Sequence, residues 1–200
     1  MREALKLAGT KWNMNTYYPG FGTGGYCIPL SSQYVMQGAG SNKKYLSLLR
    51  HTIKFDQNVN KLIAKKIILK KYKKILILGL SYKSDVKVSI LSPSIELFDY
   101  LKSKKLKVDI FDPLFTSKDL NNILNYRLPK NLKLSSIDNY DCIILMVKHK
   151  YFEEKIKIEL KKMKKVKMII DNTSLLKKYE KIIHKKNCRL AITGEQNWLL

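Results

Sequence analysis

Lys74-Ile75-Leu76-Ile77-Leu78-Gly79-Leu80-Ser81 decides the fold. A continuous apolar run of strand length that stops at a glycine fits a strand buried on both faces. The same texture recurs downstream. Apolar runs at Ile75–Leu78, Val108–Phe111, Cys142–Val147 and Val166–Ile170 alternate with amphipathic segments at Ser92–Lys104, Lys118–Leu124, Phe152–Met163 and Leu175–His184. Leu190–Ile192 closes the series, and Leu132–Leu134 reads as a short additional strand. Buried strands separated by helices predict an open, doubly wound α/β domain over residues 74–200, with a parallel sheet and ligands at the carboxyl ends of its strands.

Upstream the pattern is helical. Residues 2–9 read as the tail of a helix, with Gly9 suited to a C-terminal cap. Residues 13–27 form a glycine- and aromatic-rich loop, and Pro29 sits where a helix's first turn accepts it, predicting a helix over 28–37. A long helix is predicted over 42–71, with Leu46, Leu49, Ile53, Leu62, Ile63 and Ile67 near helical spacing. Residues 1–73 thus form a helical region ahead of the α/β domain.

Composition narrows the function. The 200 residues hold 39 Lys and Arg against 16 Asp and Glu, a net charge of +23. Only Arg2, Arg50, Arg127 and Arg189 are arginines. Lysines scattered over every segment fit a compositional bias, whereas base recognition favours arginine and stacked aromatics, so no nucleic-acid partner is expected. No apolar run approaches the ~20 residues that span a bilayer, and no apolar leader opens the chain. Three cysteines, Cys27, Cys142 and Cys188, have neither disulfide nor zinc spacing. A cytoplasmic protein without a membrane partner is expected.

The chemistry concentrates at Pro19-Gly20-Phe21-Gly22-Thr23-Gly24-Gly25-Tyr26-Cys27-Ile28-Pro29. Gly20, Gly22 and Gly25 match the spacing G-x-G-x-x-G, but no strand precedes them, so a dinucleotide turn is the wrong reading. A backbone cradle for anionic or sugar oxygens fits better. Cys27 falls at the mouth of the next helix, where amide donors and the helix dipole favour a thiolate nucleophile. Cys142, inside an apolar run, reads as a small buried hydrophobe, and Cys188 has no partner in sequence.

Pro19–Pro29 resembles the active-site loop of the UDP-glucose/GDP-mannose dehydrogenase family. Leu78-Gly79-Leu80-Ser81-Tyr82-Lys83-Ser84-Asp85, with Ser92-Pro93 beyond it, resembles the segment that opens the family's sugar-nucleotide-binding domain. Asp112-Pro113, His149 and Asp171 are further echoes, so the resemblance covers nearly all of residues 2–200. It implies oxidation of a nucleotide sugar's C6 alcohol to a carboxylate with two NAD as cofactor. A cysteine there attacks the aldehyde stage, and the resulting thioester is hydrolysed. It implies Cys27 as the catalytic nucleophile. It also implies that Thr16, Tyr17, Tyr18, Pro19, Gly20 and Gly24 line the sugar pocket and that Lys83 binds the substrate. Helix 42–71 would correspond to the family's dimer-forming helix.

Three positions depart from the family's pattern. Ser31 stands where an acidic residue helps water attack the thioester, Ile90 where an arginine contacts NAD, and Thr173 where an arginine is common. Only 26 residues precede Cys27, too few for a βαβ unit of roughly 30, so the family's NAD-binding domain is expected to be absent. The leading expectation is a truncated or split nucleotide-sugar 6-dehydrogenase acting on UDP-glucose, UDP-N-acetylglucosamine or UDP-N-acetylmannosamine for polysaccharide precursors. Its expected partner is a second copy, or a separately encoded NAD-binding half, on helix 42–71. An inactive remnant or UDP-sugar-binding module is the competing reading.

Overall fold

Alternating residues of each strand face opposite sides of a sheet, so both sides of these all-apolar strands need cover, and both receive it. The computed structural model describes residues 1–196. Three helices come first: α1 (Arg2–Ala8), α2 (Cys27–Gly38) and α3 (Ser47–Leu69). The α/β unit then runs β1 (Lys74–Leu78), α4 (Pro93–Ser103), β2 (Lys107–Phe111), α5 (Ser117–Leu124), β3 (Cys142–Leu145), α6 (Lys150–Lys162), β4 (Met168–Asp171), α7 (Glu180–His184) and β5 (Arg189–Ile192). All strand pairs are parallel, in the order β2-β1-β3-β4-β5. The predicted doubly wound sheet is therefore present.

Ile75 and Ile77 of β1 face a cluster with Ile63, Ile67, Leu97 and Leu101, which brings α3 and α4 onto one side of the sheet. Leu76 and Leu78 face the other side with Phe152, Ile156, Leu160 and Ile183 of α6 and α7. Each fully buried Leu or Ile contributes ~1.5–3 kcal/mol relative to exposure. Local signals set the helix starts. Ser92 accepts from Ser94 N ahead of Pro93 at the first turn of α4, and Thr116 forms a reciprocal capping box with Asp119 on α5.

Three expectations change. The long helix does not begin at residue 42: Gly40–Tyr45 forms a 3-10 turn, and α3 starts at Ser47 after Leu46 leaves helical geometry. That turn buries no residue, so packing does not hold it in α-helical form. Residues 132–134 form no strand; Leu134–Asn139 is a 3-10 turn whose Leu134 and Ile137 pack beneath α6. The last predicted helix divides into a 3-10 turn at Lys177–Tyr179 and the short α7. Gly9 does cap α1, but with an ordinary right-handed φ of −70°. It is small because Thr16 presses on it: an added Cβ would lie 2.5 Å from Thr16 Cγ2.

Candidate nucleotide-sugar site

The turn after β1 is wired from beneath. Gly79 has φ +99°, and an added Cβ would come within 2.8 Å of Val147 Cβ. Asp112, at the end of β2, is buried, and its Oδ2 accepts from Leu80 N (2.7 Å) and Ser81 N (3.1 Å). His149, fully buried after β3, accepts from Asp85 N on Nδ1 (2.9 Å) and faces Asp112 Oδ2 with Nε2 at 3.1 Å. With Nδ1 accepting, the ring proton sits on Nε2 and donates to Asp112. Asp85 Oδ1 accepts in turn from Lys150 N at 3.0 Å. Lys83 thus projects from a loop anchored at Ser81 and at Asp85. Burial alone would push the Asp112 carboxyl up, but hydrogen bonds from His149, Leu114 and Ser81 outweigh it and hold the group below its ordinary value.

The glycine loop lies across the carboxyl ends of the strands. Pro19 packs on Gly194 beyond β5, and Gly20 approaches Asn172 beyond β4, where an added Cβ would lie 3.5 Å from its Oδ1. Phe21 is buried in the core. Asp56 of α3 pins Thr23, accepting from Thr23 N (3.0 Å) and Thr23 Oγ1 (2.8 Å). At Gly24 an added Cβ would come within 3.0 Å of Leu91 O and 3.1 Å of Pro93 Cδ, and nearer still to Tyr82 Cβ. Gly25, at φ +78°, sits against the Tyr82 ring and donates to Ile90 O at 3.0 Å. The two segments singled out in sequence therefore meet, and only residues without a side chain fit at the contact. Cys27 is two residues beyond Gly25, and Lys83 one beyond Tyr82.

Cys27 is the first residue of α2 and is exposed. Cys142 and Cys188 are buried; burial pushes both thiols up, Cys188 to about 12. Thr16 is half-buried, Tyr17 exposed, and Tyr18 lies beneath the Arg2 guanidinium, 5.1 Å from it. Arg2 also donates to Thr193 O and to Asn172 O (3.1 Å), tying α1 to the ends of β4 and β5. Its role was missed in sequence, although an arginine in so lysine-rich a chain is itself a signal. Asp56 and Tyr82, also missed, carry no comparable local signal.

A cleft of about 830 Å³, within the range of small-molecule sites, opens between α1, Tyr18 and the ends of β3, β4 and β5. Arg2, Lys148, Thr173, Ser174 and Gly194 line it. Of the predicted pocket residues only Tyr18 lines it; Cys27 and Lys83 neighbour in sequence the residues, Gly25 and Tyr82, through which the two loops meet. Four buried polar atoms at the carboxyl ends of the sheet have no hydrogen-bond partner among the described residues: Ser81 Oγ, Asn172 Oδ1, Ser174 Oγ and Thr193 Oγ1. Such orphans cost roughly 1–3 kcal/mol each, a cost that hydrogen bonds from a ligand rich in hydroxyl and amide groups would offset.

The three departures have structural counterparts. Ser31 is exposed on α2, Ile90 lends its carbonyl to Gly25, and Thr173 N and Oγ1 both donate to Asp171 Oδ1 (2.7 and 2.8 Å). The turn after β1 does not suit NAD. Gly79 is its single glycine and is needed for the close approach of Val147, and Asp112, at the end of β2, is committed to Leu80, Ser81 and His149 rather than free for a ribose. Among the described residues no His, Cys, Asp and Glu group could hold a metal, and no helix is long and apolar enough to cross a membrane.

Residues 76–178 match the model of the UDP-glucose/GDP-mannose dehydrogenase family, UDP binding domain. The chain is 29% identical over 184 residues to the UDP-N-acetyl-D-mannosamine dehydrogenase of Methanococcus aeolicus, covering 87% of this chain and 39% of that protein. It is 26% identical over 158 residues to the UDP-N-acetyl-D-glucosamine 6-dehydrogenase of Salmonella typhi, covering 75% and 36%. The fold resembles a UDP-D-ManNAc dehydrogenase structure from Pyrococcus horikoshii, with a TM-score of 0.68 at 22% identity over 87% of this chain and 40% of that one. It also resembles a ternary complex of GDP-mannose dehydrogenase from Pseudomonas aeruginosa, with a TM-score of 0.65 at 20% identity over 87% and 42%. The chain spans about two fifths of the length of these relatives.

Proposed function

The chain belongs to the UDP-glucose/GDP-mannose dehydrogenase family, and from that premise we propose that it supplies the sugar-nucleotide cleft and the thiol nucleophile of an NAD-dependent nucleotide-sugar 6-dehydrogenase. The observation that carries this reading is the fit of Gly24 and Gly25 against Tyr82, which sets the cysteine loop beside the lysine loop at the ligand end of the sheet. In this reading Lys83 presents a point charge to the diphosphate, the backbone of Thr16 to Gly20 with Gly24 contacts the sugar, and Cys27 Sγ adds to the C6 aldehyde carbon. The aldehyde oxygen takes up a proton as the C–S bond forms. The hydride acceptor is NAD, held by a unit beyond these 200 residues, on the same polypeptide or on a partner.

The proposed docking face is α3, as a homodimer or against an NAD-binding half. Leu48, Phe55, Leu62 and Leu69 recur every seven residues along it and are all exposed, as a helix-packing stripe requires. UDP-N-acetylmannosamine is the first substrate to test, since the Methanococcus relatives act on it, followed by UDP-N-acetylglucosamine and UDP-glucose.

Ser31, Ile90 and Thr173 favour a second reading, a module that binds UDP-sugars without oxidising them. One experiment separates the two. The chain is mixed with an NAD-binding unit of the family, each sugar is added, and NADH absorbance is followed beside calorimetry with UDP. Turnover supports the dehydrogenase, UDP binding without turnover supports the module, and neither removes both.

A further inference from the structure

Sequence alone shows lysines everywhere; the fold sorts them. In a parallel sheet every helix-to-strand connection arrives at the amino end and every strand-to-helix connection leaves from the carboxyl end. Four of the arriving segments, taken with the helix ends and first strand residues that flank them (70–74, 102–107, 161–167 and 185–189), hold 16 of the chain's 39 basic residues and none of its 16 acidic ones, within 23 positions. The five departing segments, 79–92, 112–116, 146–149, 172–176 and 193–196, hold three basic residues (Lys83, Lys87, Lys148) and three acidic ones (Asp85, Asp112, Glu195). A compositional bias alone would load both ends alike.

The positive end is built to stay positive. Of its fifteen lysines only Lys162 comes within salt-bridge distance of a carboxylate among the described residues, Glu159 at 3.9 Å. The two aspartates of the neighbouring connection into β3 are turned to the backbone. Asp141 Oδ2 accepts from Lys73 N and Lys74 N (3.0 Å each), and Asp138 Oδ1 from Lys164 N and Lys165 N (2.6 Å each). They hold the lysine-bearing loops in place. Strands ~4.8 Å apart set these loops in a row roughly 20 Å long.

We propose that the amino-terminal end of the sheet is an electrostatic docking surface for an anionic lipid bilayer. Fifteen of the sixteen cations are lysines, which sense charge rather than the shape of a base or a bidentate acceptor. The one aromatic in these segments, Tyr72, is half-buried against the core, so nothing is offered for stacking on bases. Headgroups that diffuse laterally adapt to such a surface, and the carboxyl-end cleft, at the opposite end of the sheet, stays open to solution. This inference stands independently of the function proposed above.

The test is co-sedimentation with vesicles of phosphatidylglycerol and phosphatidylcholine, with pure phosphatidylcholine vesicles and a generic DNA duplex beside them. Two variants carry the same charge change. One replaces Lys70, Lys73, Lys104 and Lys165 with Gln, and the other replaces Lys118, Lys155, Lys157 and Lys178, all exposed and away from the amino end of the sheet. Each lysine near an anionic surface contributes roughly five-fold in partitioning, so the first variant should lose at least a hundredfold. The second should keep most of the affinity, and binding should fade between about 0.1 and 1 M salt as the Debye length shrinks. Thermal melts check that both variants are folded. Equal losses in both variants, no preference for anionic vesicles, or tight duplex binding without vesicle binding would each overturn the proposal.

Discussion

Gly24→Ala is the sharpest perturbation of the candidate site. The new methyl would stand 3.0 Å from Leu91 O and 3.1 Å from Pro93 Cδ, and nearer still to Tyr82 Cβ, where ordinary contact begins at 3.4 Å. Tyr82 Cβ and the Leu91 carbonyl are close to the backbone and cannot swing aside, so the two loops must part by roughly 1 Å, a misplacement that can cost on the order of a hundredfold where geometry matters. Overpacking of this kind costs about 1–3 kcal/mol. A loss of 2 kcal/mol lowers the melting temperature by about 4–8 °C in a chain of this size. UDP affinity by calorimetry should fall at least tenfold while far-ultraviolet circular dichroism stays native. Wild-type affinity with an unchanged melt would show that this contact neither exists as described nor shapes the site.

Other perturbations probe the supports. His149→Gln can keep a donor towards Asp112 but not the acceptor for Asp85 N–H, a loss of about 1–3 kcal/mol; it should weaken UDP binding several-fold with little change in α/β content, and unchanged affinity would disconnect His149 from Lys83. Acid titration followed by amide NMR should separate two turns. Asp112 is held below its ordinary value, so its stabilisation is present above that value and lost as pH falls through its folded-state value. Burial raises Asp171, so its charge opposes folding and the strain is relieved as pH falls. The Thr173 and Leu176 amides should therefore shift at higher pH than those of Leu80 and Ser81; the reverse order would contradict the assigned environments. In the native protein iodoacetamide should modify Cys27 alone, with Cys142 and Cys188 reacting only after denaturation, as mass spectrometry of the labelled peptides would report.

Much of the fold was legible because strands covered on both faces must be apolar throughout; Ile75–Leu78 and Cys142–Val147 carry that signature without help from partners. Boundaries governed by packing were not. Residues 42–46 have helical propensity but no buried face, and Leu134 with Ile137 reads equally as a strand end or a turn until α6 is placed over it. Of the candidate site residues, Cys27 was visible through its glycine-rich loop, and Lys83 only through the resemblance of Leu78–Asp85 to the family's segment. Their meeting was not, because periodicity says nothing about which loop touches which. Tyr82 and Asp56 gain their roles only through that meeting. The charge polarity of the sheet was hidden for the same reason: lysines spread evenly along the chain become concentrated once all strands point one way.

The central claim, that the cysteine loop and the lysine loop close on one nucleotide, is tested most directly by the alkylation rate of Cys27 with and without saturating UDP. Protection of at least tenfold in the wild type, lost in Lys83→Ala, is the expected result. A rate indifferent to UDP, while calorimetry shows UDP bound, would place the nucleotide elsewhere and contradict the account.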